Sequence, residues 1–194
     1  MKNNYITHKK EWQTLKILID DVINRLHNLF LGMNILVSAC LLGFNVKYDG
    51  TNNAHVLDSQ KFERLKKMVN IIPFCPEIFG GLSTPRTPCE IKNDKVINTD
   101  GQDKTQEFKA GSNQALKAAQ LFNCTYALLK ENSPSCASNT IYDGTFSHTK
   151  KTGSGITARL FLENNIKVFN ENQLDELIEA VRLAKAPMQL SFNF

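Results

Sequence analysis

From Asn34 onward, short and almost unbroken apolar runs alternate with stretches of helical periodicity, and few folds accommodate that order. Residues 34–39 (NILVSA) read as a buried strand, 59–69 as a helix, 70–74 (NIIPF) as a strand and 105–122 as a helix. Residues 125–129 (TYALL) give a third strand, 155–163 a helix, 166–169 (IKVF) a fourth strand, and 171–184 a closing helix. Strands that lack polar alternation are covered on both faces, and strands separated by helices run parallel. The expectation is a single Rossmann-like α/β domain with a mostly parallel sheet and helices on both faces. Right-handed crossovers then bring the C-terminal end of every strand to one edge, which is where open α/β sheets bind ligands.

Residues 1–32 read as a separate element. Leu15, Leu18, Ile19, Val22, Ile23, Leu26, Leu29 and Phe30 recur at helical spacing and form the apolar stripe of an N-terminal amphipathic helix. Met33 opens a segment that itself reads as a protein start, so 1–32 is either an added docking helix or the product of an over-extended gene start. The expected division is an extension over 1–32 and an α/β domain over 33–194. The chain has 194 residues and 42% hydrophobic content, enough for one core and too little for two domains of ordinary size.

Charge and cysteine usage narrow the function classes. Net charge is +4, but Lys and Arg are dispersed rather than gathered into a stripe, which argues against nucleic acid and suits small anions. The apolar stretch 29–44 is too short for a membrane span and is interrupted by Gly32, Asn34, Ser38 and Gly43. Val37-Ser38-Ala39-Cys40 has the look of a lipoprotein cleavage box. The region before it is long and acidic at Asp20 and Asp21, however, and apolar residues continue at Leu41 and Leu42, so the anchor reading is set aside. Five cysteines, with no CxxC pair, point to reduced thiols and a cytoplasmic protein.

Three of those cysteines share a placement. Cys40 follows the first expected strand, Cys75 ends the second, and Cys136 lies in the loop after the third, so all three fall at the ligand edge. Cys124 sits at a helix-to-strand turn on the opposite edge, and Cys89 lies in the long Gly- and Pro-rich loop 76–103, whose length marks it as functional. A buried cysteine taken singly is usually an inert small hydrophobe. Three at one edge suit either zinc or a cubane iron–sulfur cluster with one iron lacking a protein ligand, and their wide spacing favours the cluster. Thr152-Gly153-Ser154-Gly155 precedes a helix and reads as an anion cradle or as an ordinary loop with a Ser154 cap. Asp49 and Asp143, each in a Tyr-Asp-Gly turn, read chiefly as turn formers, and His148 as a solvated loop residue.

Six motifs stand in order between Asn34 and about Phe169: SACLLG from Ser38, KYDG from Lys47, CPEIFGGLSTPR from Cys75, SPSC from Ser133, IYDGTF from Ile141 and TGSGIT from Thr152. In these the chain resembles the bacterial thiouracil desulfidase-like family, long filed as a domain of unknown function. The resemblance implies a 4Fe-4S cluster held by Cys40, Cys75 and Cys136, an open iron that takes the substrate's sulfur, Glu77 as acid/base and Ser133 as its partner. It also implies a small thiolated, pyrimidine-like substrate and redox-neutral, hydrolytic sulfide release. The alternative is a non-catalytic metal-binding or iron–sulfur sensing module, and a third possibility is a partner protein working through its N-terminal helix. Departures from the family pattern are Val46 and Lys47, where a cysteine and an arginine are common, Ala137, where glycine is common, and Cys89, at a place usually held by a small residue.

Overall fold

The fold is given by a computed structural model that describes residues 12, 13, 15, 16, 19, 22, 23 and 32–186. The amphipathic helix expected within 1–32 falls mostly on residues outside that set. In chain order the elements are β1 (Met33–Ser38), a 3-10 turn (Ala39–Leu42), α1 (Ser59–Lys66), β2 (Val69–Phe74), α2 (Pro76–Phe79), β3 (Cys89–Lys92) and β4 (Lys95–Asn98). They continue with α3 (Thr105–Leu121), β5 (Tyr126–Leu129), β6 (Thr140–Tyr142), β7 (Lys150–Thr152), α4 (Ile156–Glu163), β8 (Lys167–Asn170) and α5 (Leu174–Lys185).

The central sheet has the order β2-β1-β5-β8 and is parallel throughout. Side chains alternate across each strand and build two cores. Ile35 and Val37 of β1 join Tyr126 and Leu128 of β5 on one face, packed against Leu65 of α1 and Leu174, Leu177, Ile178 and Val181 of α5. Leu36, Ala127 and Leu129 point the other way, onto Ala115 and Ala119 of α3 and Ala158 and Phe161 of α4. Burying a side chain such as Leu128 or Phe161 fully is worth about 1.5–3 kcal/mol. α1 begins where the Asp58 carboxylate accepts the Lys61 N–H at 3.0 Å, which satisfies one orphan donor of the first turn.

Two antiparallel hairpins, β3–β4 and β6–β7, were not expected from the sequence. The first lies inside the stretch read as an irregular loop, and its tight turn rests on Asn93 and Asp94, at φ 49° and 60°. Asn and Asp tolerate that left-handed region and form the primed turns that suit a hairpin. The same stretch also contains α2. This short helix lies backbone to backbone on α3, because both carry glycine at the contact. A Cβ on Gly111 would lie 1.9 Å from the Pro76 carbonyl oxygen, and one on Gly80 would lie 2.1 Å from that of Glu107.

Candidate active site

The carboxyl ends of β1, β2 and β5, roofed by residues of the two hairpins, enclose a cavity of about 540 Å³. Its wall includes Cys40, Cys75, Glu77, Ser133 and Cys136, so every residue singled out for the site converges on one space. Cys40 enters on the 3-10 turn after β1. Cys75 follows β2 and is the N-cap of α2, rather than the last strand residue as expected, and Glu77 stands in the first turn of α2. Cys136 is set by the loop after β5. There the Ser133 hydroxyl oxygen accepts the N–H groups of Ser135 and Cys136, each at 3.1 Å, and Gly155 backs the loop so closely that a Cβ would sit 2.4 Å from Ser135 backbone atoms.

The three thiols share an electrostatic setting. Burial raises the pKa of each, with Cys75 pushed up to about 11 and Cys136 driven up furthest. A polar neighbour pulls each of them the other way, toward the thiolate: the Asn53 side chain for Cys40, the Ile78 N–H for Cys75 and the Ser38 hydroxyl for Cys136. The other two cysteines lack this arrangement. Cys124 is pushed up to about 11 by burial alone, and Cys89, raised to about 11 chiefly by burial, itself donates to the Thr87 carbonyl at 3.6 Å. Cys89 nevertheless lines the same cavity, at the start of β3, which corrects its placement away from the ligand edge. Among the described residues, no three His, Cys, Asp or Glu side chains group tightly enough to hold a metal ion.

Glu77 is tied on both oxygens. Arg86 donates to Oε2 from Nε at 2.9 Å and from Nη2 at 2.6 Å, and the Ser133 hydroxyl donates to Oε1 at 3.3 Å. The remaining Arg86 donors reach the carbonyls of Val46 and Ser83 and the Thr84 hydroxyl, so this guanidinium is fully committed to holding the site's loops. The long Ser133 contact leaves Oε1 as the carboxylate oxygen open to a ligand.

Other carboxylates separate clearly by their partners. Glu131 also lines the cavity, but its oxygens accept from the backbone of Ser138, Asn139 and Thr140, the Ser138 hydroxyl and the Asn170 amide. Burial raises its pKa, yet these bonds outweigh burial and hold it below the ordinary carboxylate value. Glu171 completes the same network by accepting from Lys130 Nζ and from Glu131 N–H at 2.7 Å. Asp49 accepts from Thr51 and Lys47, and Asp143 from the backbone and hydroxyl of Thr145, which makes both of them turn formers. The anion-cradle reading of 152–155 is overturned. The N–H groups of Gly153, Gly155, Ile156 and Thr157 already serve the carbonyls of Asn139, Ala137, Pro134 and Ser135, and Ser154 donates to Ser138 rather than capping α4. His148 is exposed and stands at the cavity mouth.

The sheet order and a cavity walled by thiols with a carboxylate beside them define an α/β protein whose site lies at the carboxyl ends of parallel strands, on the pattern of enzymes that bind small ligands there. The chain belongs to the 2-thiouracil desulfurase family, whose profile matches residues 35–173. A solved structure of a [4Fe-4S]-dependent thiouracil desulfidase, TudS, superposes with a TM-score of 0.72 at 41% identity, covering 78% of this chain and 99% of that one. YbbK of Bacillus subtilis (strain 168), an uncharacterized protein, is 39% identical over 154 residues, which is 74% of this chain and 99% of that protein. These likenesses support a desulfidase role and an enzyme. No helix among the described residues is long and apolar enough to cross a membrane.

Proposed function

We propose that this protein removes sulfur hydrolytically from a thiouracil-like nucleobase, using a 4Fe-4S cluster held by Cys40, Cys75 and Cys136. The observation that carries the reading is the donor set. Of the four cysteines that line the cavity, these three stand in the segments that follow the parallel strands β1, β2 and β5, with the Glu77 carboxylate beside them, whereas Cys89 belongs to the hairpin above. When bound, such a cluster supplies a soft Lewis-acid iron with affinity for a thiocarbonyl sulfur, at which the attached carbon becomes electrophilic.

The remaining work falls to this chain's own residues. Arg86 fixes Glu77 through Oε2 and leaves Oε1 to accept a proton from the attacking water. Ser133 donates to the same Oε1 and orients that water, while its own oxygen holds the loop that delivers Cys136. Water oxygen bonds to carbon, the carbon–sulfur bond breaks, and the sulfur leaves as sulfide carrying the water's protons, so no net electrons are consumed. The Rossmann-like sheet supplies the edge. Residues 33–194 form the working domain, and 1–32 are accessory.

The test is anaerobic purification with iron and sulfide analysis, followed by sulfide release from 2-thiouracil. Four irons per chain and steady release are expected, with Glu77→Gln keeping the iron but losing about 10²–10⁴-fold in turnover. A colourless protein with one zinc would overturn the cluster. An iron-loaded protein inert toward thiolated bases would favour the sensing module instead.

A further inference from the structure

Three carboxylates line the cavity: Glu77, Glu90 and Glu131. Both oxygens of Glu77 and of Glu131 accept hydrogen bonds from the protein, as described above. Glu90 is different. Its residue is 8% exposed, and its Oε2 accepts two backbone donors from the turn of the second hairpin, Gly144 N–H at 2.9 Å and Phe146 N–H at 3.1 Å. Its Oε1 has no partner among the described residues. No fully buried side-chain oxygen or nitrogen there lacks a partner, so Glu90 Oε1 is open, and the space that Glu90 lines is the cavity.

We infer that Glu90 is a substrate-binding residue whose Oε1 accepts a ring N–H beside the thiocarbonyl. The inference rests on the desulfidase reading for the identity of the ring. A thiolated pyrimidine offers its sulfur to a soft metal and carries N–H groups on the flanking atoms, and an N–H needs an acceptor once it leaves water. Glu131 is saturated by protein donors, Glu77 Oε1 is reserved for the attacking water under that same reading, and Lys47, Arg86 and Lys130 offer only donors. The carboxylate is also held rigidly. Two amides of the IYDGTF run fix it from one side and β3 from the other, so little ordering is left to be lost on binding. This gives that sequence run a purpose the cluster and Glu77 do not explain: its turn aims the acceptor.

The substitution Glu90→Gln probes this without untying the hairpin. The two backbone N–H groups require an oxygen, so the amide turns its oxygen to them and presents its NH₂ to the cavity. An acceptor there becomes a donor of the same size. The measurement is calorimetric binding of uracil, 1-methyluracil and 3-methyluracil to the iron-loaded protein, with sulfide release from 2-thiouracil and its two N-methyl derivatives in parallel. In the wild type, methylation of one ring nitrogen should weaken binding about 10–100-fold, the worth of a hydrogen bond to a charged group. In Glu90→Gln, uracil itself should weaken by a similar factor, the discrimination between uracil and that methyl derivative should collapse, and KM should rise more than kcat falls. Failure of the wild type to bind uracil, or an unchanged methyl discrimination in Glu90→Gln, would overturn the inference. Glu90-dependent binding without any sulfide release would uphold it and count against the desulfidase reading alone.

Discussion

The contact between α2 and α3 offers a remote handle on the site. Replacing Gly111 by Ala places a methyl 1.9 Å from the Pro76 carbonyl oxygen, 2.7 Å from its carbon and 3.1 Å from the Gly80 nitrogen. These are backbone atoms and cannot swing aside. Relief to an ordinary separation of about 3.4 Å moves α2 away from α3 by about 1.5 Å. α2 carries Glu77 in its first turn and Cys75 at its cap, so both groups move with it. Two effects oppose each other in stability. Alanine favours the helix over glycine by about 0.5–1 kcal/mol, while overpacking costs about 1–3 kcal/mol, so a net loss of about 1–2 kcal/mol is expected. Activity should suffer more, because a displacement of about 1 Å costs about 10²-fold when reacting groups are held in line. Thermal unfolding, iron content and anaerobic sulfide release from 2-thiouracil together separate the cases. A folded, iron-loaded Gly111→Ala protein with near wild-type turnover would refute the claim that this contact sets the position of Glu77.

Further outcomes are expected. Cys40→Ser, Cys75→Ser and Cys136→Ser should each abolish four-iron loading, whereas Cys89→Ser and Cys124→Ser should retain it, as read by iron analysis and visible absorption. Glu131→Gln should destabilise the fold by about 2–3 kcal/mol at neutral pH in denaturant unfolding, because donors that meet a carboxylate would face an NH₂ group. Its folded pKa lies below the ordinary value of 4.5, so the unfolded chain binds the proton first on acidification; this part of the stability is full above that value and is lost as pH falls through the folded pKa. The Gln variant should therefore show a flatter acid limb, and an unchanged one would refute the assignment. A chain beginning at Met33 should fold and load iron, and insolubility of that chain would move 1–32 into the core.

The sheet was legible because its strands are buried on both faces and read as apolar runs; its strand boundaries differ from the expected ones by at most one residue. Helix starts were less legible where capping is absent. α5 begins at Leu174 rather than 171, since Glu171 and Asn170 are committed to the buried polar network. The hairpins escaped notice because their strands are only three or four residues long and rich in Lys, and Asn93-Asp94 was the one signal that could have marked the first. For the site, placement at strand ends found three cysteines but misplaced Cys89, since that rule does not see a hairpin folding back over the edge. Glu90 gave no signal at all. The role inferred for it starts from an oxygen left over once all partners are assigned, which shows only in the folded chain.

The order of the strands also has a consequence in time. β1 lies between β2 and β5, and its pairing of Ile35 with Tyr126 joins segments made far apart during synthesis. A ribosome adds about 5–20 residues per second, so the third thiol, Cys136, emerges about 3–12 s after Cys75. In that interval the growing chain holds two of the three proposed ligands, alongside Cys89 and Cys124, and no complete pocket. Under the proposed ligand set, a cluster cannot be seated on all three thiolates until β5 has paired with β1 and the loop that carries Cys136 has been made.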